Sequence, residues 1–109
     1  MRVAFTFRHM ESSDALKEYA EEKIGKLQKL LRAPIEATVV VSLEKHLHCL
    51  DVSVSAGGKH YHAKEESEDM YASIDLAMDK IGRQVRSDKD EANHRNRTAG
   101  GFAELSGKK

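Results

Sequence analysis

Residues 2–8 alternate, with Val3, Phe5 and Phe7 on one side and Arg2, Ala4, Thr6 and Arg8 on the other. A period of two is the signature of a half-buried strand. The period then changes. Leu16, Ala20, Ile24, Leu27 and Leu31 recur at spacings of three and four, which predicts an amphipathic helix of about five turns. Ser12 or Ser13 can cap its start, with Asp14 in the first turn. Lys29 and Arg32 suit the negative end of its dipole, and Pro34 stops it.

Alternation returns over residues 36–44, with Ala37, Val39, Val41 and Leu43 apolar, and over 47–56, with Leu50, Val52, Val54 and Ala56 apolar. Gly57-Gly58 is a two-residue hairpin signal, because both positions can take positive φ. A fourth strand follows over 59–65. Pairing Ala56 with Lys59, Val54 with Tyr61 and Val52 with Ala63 makes one face apolar. The other face, Ser55–His60, Ser53–His62 and Asp51–Lys64, is then polar, so both faces select the same register. A second helix, capped by Ser67 or Asp69, carries Met70, Ile74, Ala77, Met78, Ile81 and Val85 as its apolar stripe and is expected to fade near residue 90. Residues 93–109 lack periodicity and read as a mobile tail.

The expected order is β-α-β-β-β-α. This α+β domain, residues 1–92, has a four-stranded sheet with both helices on its apolar face and the other face open. It is not the order of an RNA-recognition motif, and no run of aromatics offers a base-stacking platform on the sheet.

Composition narrows the function. In 109 residues, 18 Lys and Arg balance 18 Asp and Glu, so any polyanion partner must be met by a local patch and not by net charge. Trp is absent and aromatics make up 6%, which disfavours an aromatic-walled cofactor pocket. A single cysteine, Cys49, excludes an internal disulfide. The N-terminus has no continuous apolar run of the signal-peptide kind, and no segment approaches a membrane span. The expectation is a cytoplasmic protein, monomeric when free, with no membrane partner.

The candidate chemistry lies mostly on the helices. On the second, Lys80, Arg83 and Arg86 lie roughly opposite the apolar stripe, with Lys89 farther round. Three cations along one face suit a row of phosphates. A solvated, salt-bridged helix would look the same, because Asp75 and Asp79 share that face and Asp79–Arg83 is an i,i+4 pair. On the first helix, Lys23 and Lys26 flank the buried stripe and could border the same groove, although dipole complementarity alone explains why its bases gather late. The acidic run Glu65, Glu66, Glu68 and Asp69 reads as stabilising the start of the second helix.

Two His-x-His pairs, His46/His48 and His60/His62, suggest zinc, but the hairpin register keeps them from forming one four-histidine site, and no metal is assigned. Cys49 and His48 are adjacent strand residues pointing to opposite faces, so they cannot readily form a nucleophilic pair. No phosphate loop, nucleophile elbow or dinucleotide fingerprint occurs, and no catalytic residue, cofactor or small-molecule substrate is expected.

The run Glu68-Asp69-Met70-Tyr71-Ala72-Ser73-Ile74-Asp75, followed by Asp79-Lys80-Ile81-Gly82-Arg83-Gln84-Val85, resembles the signature of the ribosome hibernation factors, the sigma-54 modulation protein family that includes ribosome-associated inhibitor A. The likeness extends upstream through Leu16-Lys17-Glu18, Lys26-Leu27, Val39-Val40-Val41, Glu44-Lys45 and His48, covering about residues 1–90. It implies a fold similar to double-stranded-RNA-binding domains. It also implies binding to the small ribosomal subunit (16S rRNA) in the mRNA and tRNA channel, and inhibition of translation in stationary phase or stress, with no enzymatic activity. Carried over by position, the RNA contacts are Lys23, Lys26, Lys45, Lys80, Arg83 and Lys89, with Arg86 beside the position where many relatives are basic and this chain has Ser87. Phe7 stands where relatives often have glycine, which puts the local loop contact in question. With only residues 93–109 beyond the domain, the chain resembles the short types; whether it would promote ribosome dimers or hold single ribosomes inactive is left open. The alternative reading is a regulator that binds proteins through the open sheet face.

Overall fold

The computed structural model describes residues 1–98, with side chains described through Asp88. Its elements are β1 (Arg2–Arg8), α1 (Asp14–Gln28), β2 (Glu36–Glu44), β3 (Leu47–Ala56), β4 (Lys59–Ser67) and α2 (Met70–Thr98). The strands form one sheet in the order β1-β2-β3-β4. β1 runs parallel to β2, and the other two pairings are antiparallel.

The hairpin forms in the register that the alternation selects, with Val52 opposite Ala63, Val54 opposite Tyr61 and Ala56 opposite Lys59. Gly57 and Gly58 close it at φ 58° and 82°, a conformation that strains most L residues. Across the sheet the inward positions join into one layer: Phe5 pairs with Val39, Val39 with Val52, and Val52 with Ala63. Leu16, Ala20, Ile24 and Leu27 of α1 and Met70, Ile74, Ala77, Met78, Ile81 and Val85 of α2 cover that layer. Ile24, Val39, Leu50, Val52, Val54, Ile74, Ile81 and Val85 are essentially inaccessible to water. Burying side chains of this size contributes about 1.5–3 kcal/mol each. β1, at the sheet edge, buries its aromatic side only halfway.

Three boundaries differ from the expectation. α1 ends at Gln28, before Leu31. The chain then closes three-residue turns, from Leu30 N–H to the Leu27 carbonyl (2.9 Å) and from Leu31 N–H to the Gln28 carbonyl (3.1 Å). The Gln28 amide explains the stop. It donates to the carbonyls of Leu31 (3.1 Å) and Ala33 (2.9 Å) and accepts from Ile35 N–H (2.8 Å). One side chain thereby satisfies three main-chain groups of the connection into β2. β4 runs on to Ser67, so Glu65 and Glu66 belong to a strand and not to the start of α2. Only Asp69 of that acidic run caps the helix, its carboxylate accepting from Tyr71 N–H at 3.2 Å.

α2 continues to Thr98, beyond the end expected near residue 90. No glycine or proline interrupts residues 83–98, so nothing in the covalent chain forces an earlier stop. The boundary expected at 92/93 falls inside this helix, and residues 99–109 of the expected tail lie outside the described residues.

Hydrogen bonds fasten α2 to the sheet between Ser73 and Asp88. Ser73, fully buried, donates to the His48 carbonyl (2.8 Å) and meets the Ser67 hydroxyl (2.7 Å). Gln84 accepts from His62 N–H (3.2 Å) and donates to the His62 carbonyl (2.8 Å), occupying main-chain groups of β4, an edge strand of the sheet. Tyr61 donates to Asp88 (3.0 Å), which also pairs with Lys59 at 3.2 Å.

Candidate nucleic-acid interface

The topology decides where the cations go. β1 and β2 are parallel, and β3 and β4 alternate, so both helices start at the sheet end that carries the Lys45–His46 turn. They run toward the Gly57–Gly58 end, side by side over the core. Lys45 occupies the turn at φ 59° and is exposed.

The two helices meet in a four-residue cluster. The Tyr19 hydroxyl of α1 donates to Asp75 of α2 at 2.7 Å. Lys23 pairs with the same carboxylate at 3.4 Å and lies 5.2 Å from the centre of the Tyr19 ring. Tyr71 meets Tyr19 edge-on, with centroids 5.0 Å apart and rings at 85°. The hydrogen bond from Tyr19, with a smaller contribution from Lys23, holds the Asp75 carboxyl below its ordinary pKa. The bond to Asp75 raises the pKa of Lys23, so both groups stay charged near neutrality.

The cations expected on α2 do not form a single row. Lys80 turns toward the sheet flank and pairs with Glu65, an inward-side residue of β4 whose side chain is 16% exposed. Arg86 sits on the other flank. It lies about three turns beyond Asp75 at nearly the same helical phase, and its guanidinium covers Gly82, 3.4 Å from where a Cβ would stand. Arg83 is exposed between these flanks, and Lys26 is exposed one turn beyond Lys23 on α1. The i,i+4 ion pair between Asp79 and Arg83 does not form. Among the described residues, Lys26, Lys45, Arg83 and Arg86 have no carboxylate within 4 Å, whereas Lys23 and Lys80 do. Lys89 lies on the same helix, and its side chain is outside the described residues.

Tyr19, Tyr71 and Glu65 were not among the residues singled out from the sequence as partners of these cations, and Asp75, placed with the cations of the second helix, pairs with Lys23 of the first. Two matched spacings, Tyr19–Lys23 on one helix and Tyr71–Asp75 on the other, are the signal that could have found the cluster.

The open face of the sheet has a different character. A shallow concavity of about 410 Å³ is lined there by Arg8, Val40, Ser42, Glu44, Cys49 and Lys64, among others. Acids and bases alternate in it, and it has no Phe, Tyr or Trp. His62 bonds to Asp51 at 2.8 Å and His60 to Ser55 at 2.9 Å. No group of three or more His, Cys, Asp or Glu placed to hold a metal occurs among the described residues. No helix of the described residues is long and apolar enough to cross a membrane.

Comparisons with known proteins agree with this architecture. The profile of the family described as Sigma 54 modulation protein / S30EA ribosomal protein matches residues 3–93. A ribosome hibernation promoting factor of Salmonella typhimurium is 34% identical over 91 residues, covering 84% of this chain and 96% of that protein. A ribosome hibernation promotion factor of Lactococcus lactis is 35% identical over 102 residues, covering 89% of this chain and 55% of the longer relative. Among solved structures, the N-terminal domain of Thermus thermophilus Protein Y superposes with a TM-score of 0.76 at 31% identity, over 80% of this chain and 98% of that one. A ribosomal subunit interface protein from Coxiella burnetii gives a TM-score of 0.71 at 27% identity, over 83% of this chain and 99% of that one.

Proposed function

The chain belongs to the Sigma 54 modulation protein / S30EA ribosomal protein family, and on that premise we propose that it is a ribosome hibernation factor that inhibits translation by occupying the small subunit. The site is the helical face. Lys26, Arg83 and Arg86, with Lys45 at the turn, hold the 16S rRNA backbone, while the bulk of the domain excludes mRNA and tRNA from their channel. Phosphate contacts of this kind position a protein without reading bases, and Arg contributes bidentate geometry that Lys cannot. Lys23 and Lys80 stand at the borders of the same face, and Lys89, farther along α2, is a further contact implied by its position in the sequence. The protein acts by occlusion and not by catalysis, as a cytoplasmic monomer engaged during stationary phase or stress. The segment that carries this function is residues 1–92, which takes in α2 up to a point six residues before its end at Thr98.

The observation that carries the reading is the group of exposed cations that have no carboxylate partner among the described residues, on a chain of zero net charge. The open sheet face mixes Arg8 and Lys64 with Glu44, Asp51 and Glu66, and the likeness to ribosome hibernation factors does not favour a protein-binding regulator working through that face.

A sucrose-gradient profile of stationary-phase ribosomes, with and without the protein, tests the proposal. The protein is expected to co-migrate with small-subunit-containing particles and to be displaced by excess tRNA and mRNA. Migration only at the top of the gradient, or with isolated large subunits, would refute it.

A further inference from the structure

Two cations on the helical face are already held by carboxylates of the chain itself, and those carboxylates stand on opposite borders of the face. Asp75 engages Lys23 on the α1 flank, and Glu65 engages Lys80 on the sheet flank. Asp75 is fixed by the Tyr19 hydroxyl at 2.7 Å, and Tyr19 is itself packed against Tyr71. Glu65 projects from the inward side of β4, where its backbone pairs opposite Leu50, and its side chain is 16% exposed.

We propose that Asp75 and Glu65 are specificity-determining residues, which lower affinity for arbitrary RNA by occupying Lys23 and Lys80 and by placing fixed negative charge at both edges of the RNA-binding face. This rests on the reading of that face as the rRNA site. Generic affinity for nucleic acid grows with the number of phosphates a protein can neutralise. A random strand drawn across the helices meets a carboxylate at each border and finds two of the cations engaged. A target whose shape places phosphates against Lys26, Arg83 and Arg86 together avoids that penalty. Specificity is a difference of affinities, and a repulsive element directed at wrong partners is one way to create it. Exposed ion pairs are worth up to about 1 kcal/mol, so each pair discounts a competing phosphate by up to about fivefold.

The test compares wild type with Asp75→Asn/Glu65→Gln in equilibrium binding to unstructured poly-U RNA and to purified small subunits, across a salt series. The double variant is expected to bind poly-U about tenfold more tightly, with a log–log salt slope steeper by about 1.4, which is two cations at about 0.7 each on single strands. Small-subunit affinity is expected to change by less, so the ratio of the two falls. Glu36→Gln/Glu66→Gln, an equal charge change on the open sheet face, is expected to gain less than about twofold. Glu65→Gln alone touches no helix–helix contact and is expected to gain about threefold, which keeps the test valid if the Asp75 change disturbs folding. No gain in poly-U binding by the double variant and by Glu65→Gln, or an equal gain by the open-face control, would overturn the proposal. Failure of the wild-type protein to bind small subunits would overturn the ribosome reading instead.

Discussion

Replacing Lys26 and Arg83 together by glutamate is expected to weaken binding to the small subunit by at least about a hundredfold while leaving the domain folded. Both side chains are exposed, and neither has a carboxylate partner among the described residues. A hydrogen bond to a charged group contributes about 1.5–3 kcal/mol, and two lost contacts exceed the roughly 2.8 kcal/mol that corresponds to a hundredfold. Exposed substitutions away from caps and core usually change stability by less than about 0.5 kcal/mol. Co-sedimentation measures the first effect and a thermal melt the second. Unchanged co-sedimentation would remove these residues from the site. The more obvious pairing of Lys80→Glu with Arg83→Glu is a poorer experiment. A glutamate at position 80 would face Glu65 and confound lost binding with local repulsion.

The second large effect concerns stability. Gln28→Ala is expected to cost about 2–3 kcal/mol and to lower the melting temperature by about 10 °C or more. The side chain makes three hydrogen bonds to the main chain between Leu31 and Ile35, and Ile35 is fully buried. Its removal leaves part-buried polar groups without partners and loosens the entry into β2. A melt within about 2 °C of wild type would show that water replaces the amide without cost.

Much of the fold was legible because local and tertiary demands coincide. The β3–β4 hairpin has two faces of opposite polarity and a glycine pair that supplies positive φ, so one register satisfies everything. The end of α1 was not legible, because Leu30 and Leu31 continue the helical period while serving as partly buried residues of a turn. What stops the helix is Gln28 reaching forward to Ile35, and no periodicity encodes that contact. At the end of α2 the error ran the other way. Asn93, Asn96 and Thr98 suggested a loop by composition, yet without glycine or proline the helix persists to Thr98.

The site divides similarly. The motif that carries the family resemblance turns out to be largely architectural. Asp69 caps α2, Met70 and Ile74 are core, Ser73 bonds to β3, and Asp75 joins the helices. The Gln84 in its second half closes against β4. Exposed cations could be read from the sequence, but not which of them would be paired. Glu65 and Lys80 meet only because β4 passes beneath α2, and Asp75 reaches Lys23 only because the helices lie side by side.

The central claim is that cations of the helical face and of the Lys45 turn, without carboxylate partners among the described residues, hold rRNA phosphates. Its most direct test is the salt dependence of affinity for purified small subunits. With Lys26, Lys45, Arg83 and Arg86 as about four phosphate contacts, log affinity is expected to fall against log salt with a slope near −3. A slope near zero would contradict the account and point to an interface made with ribosomal protein.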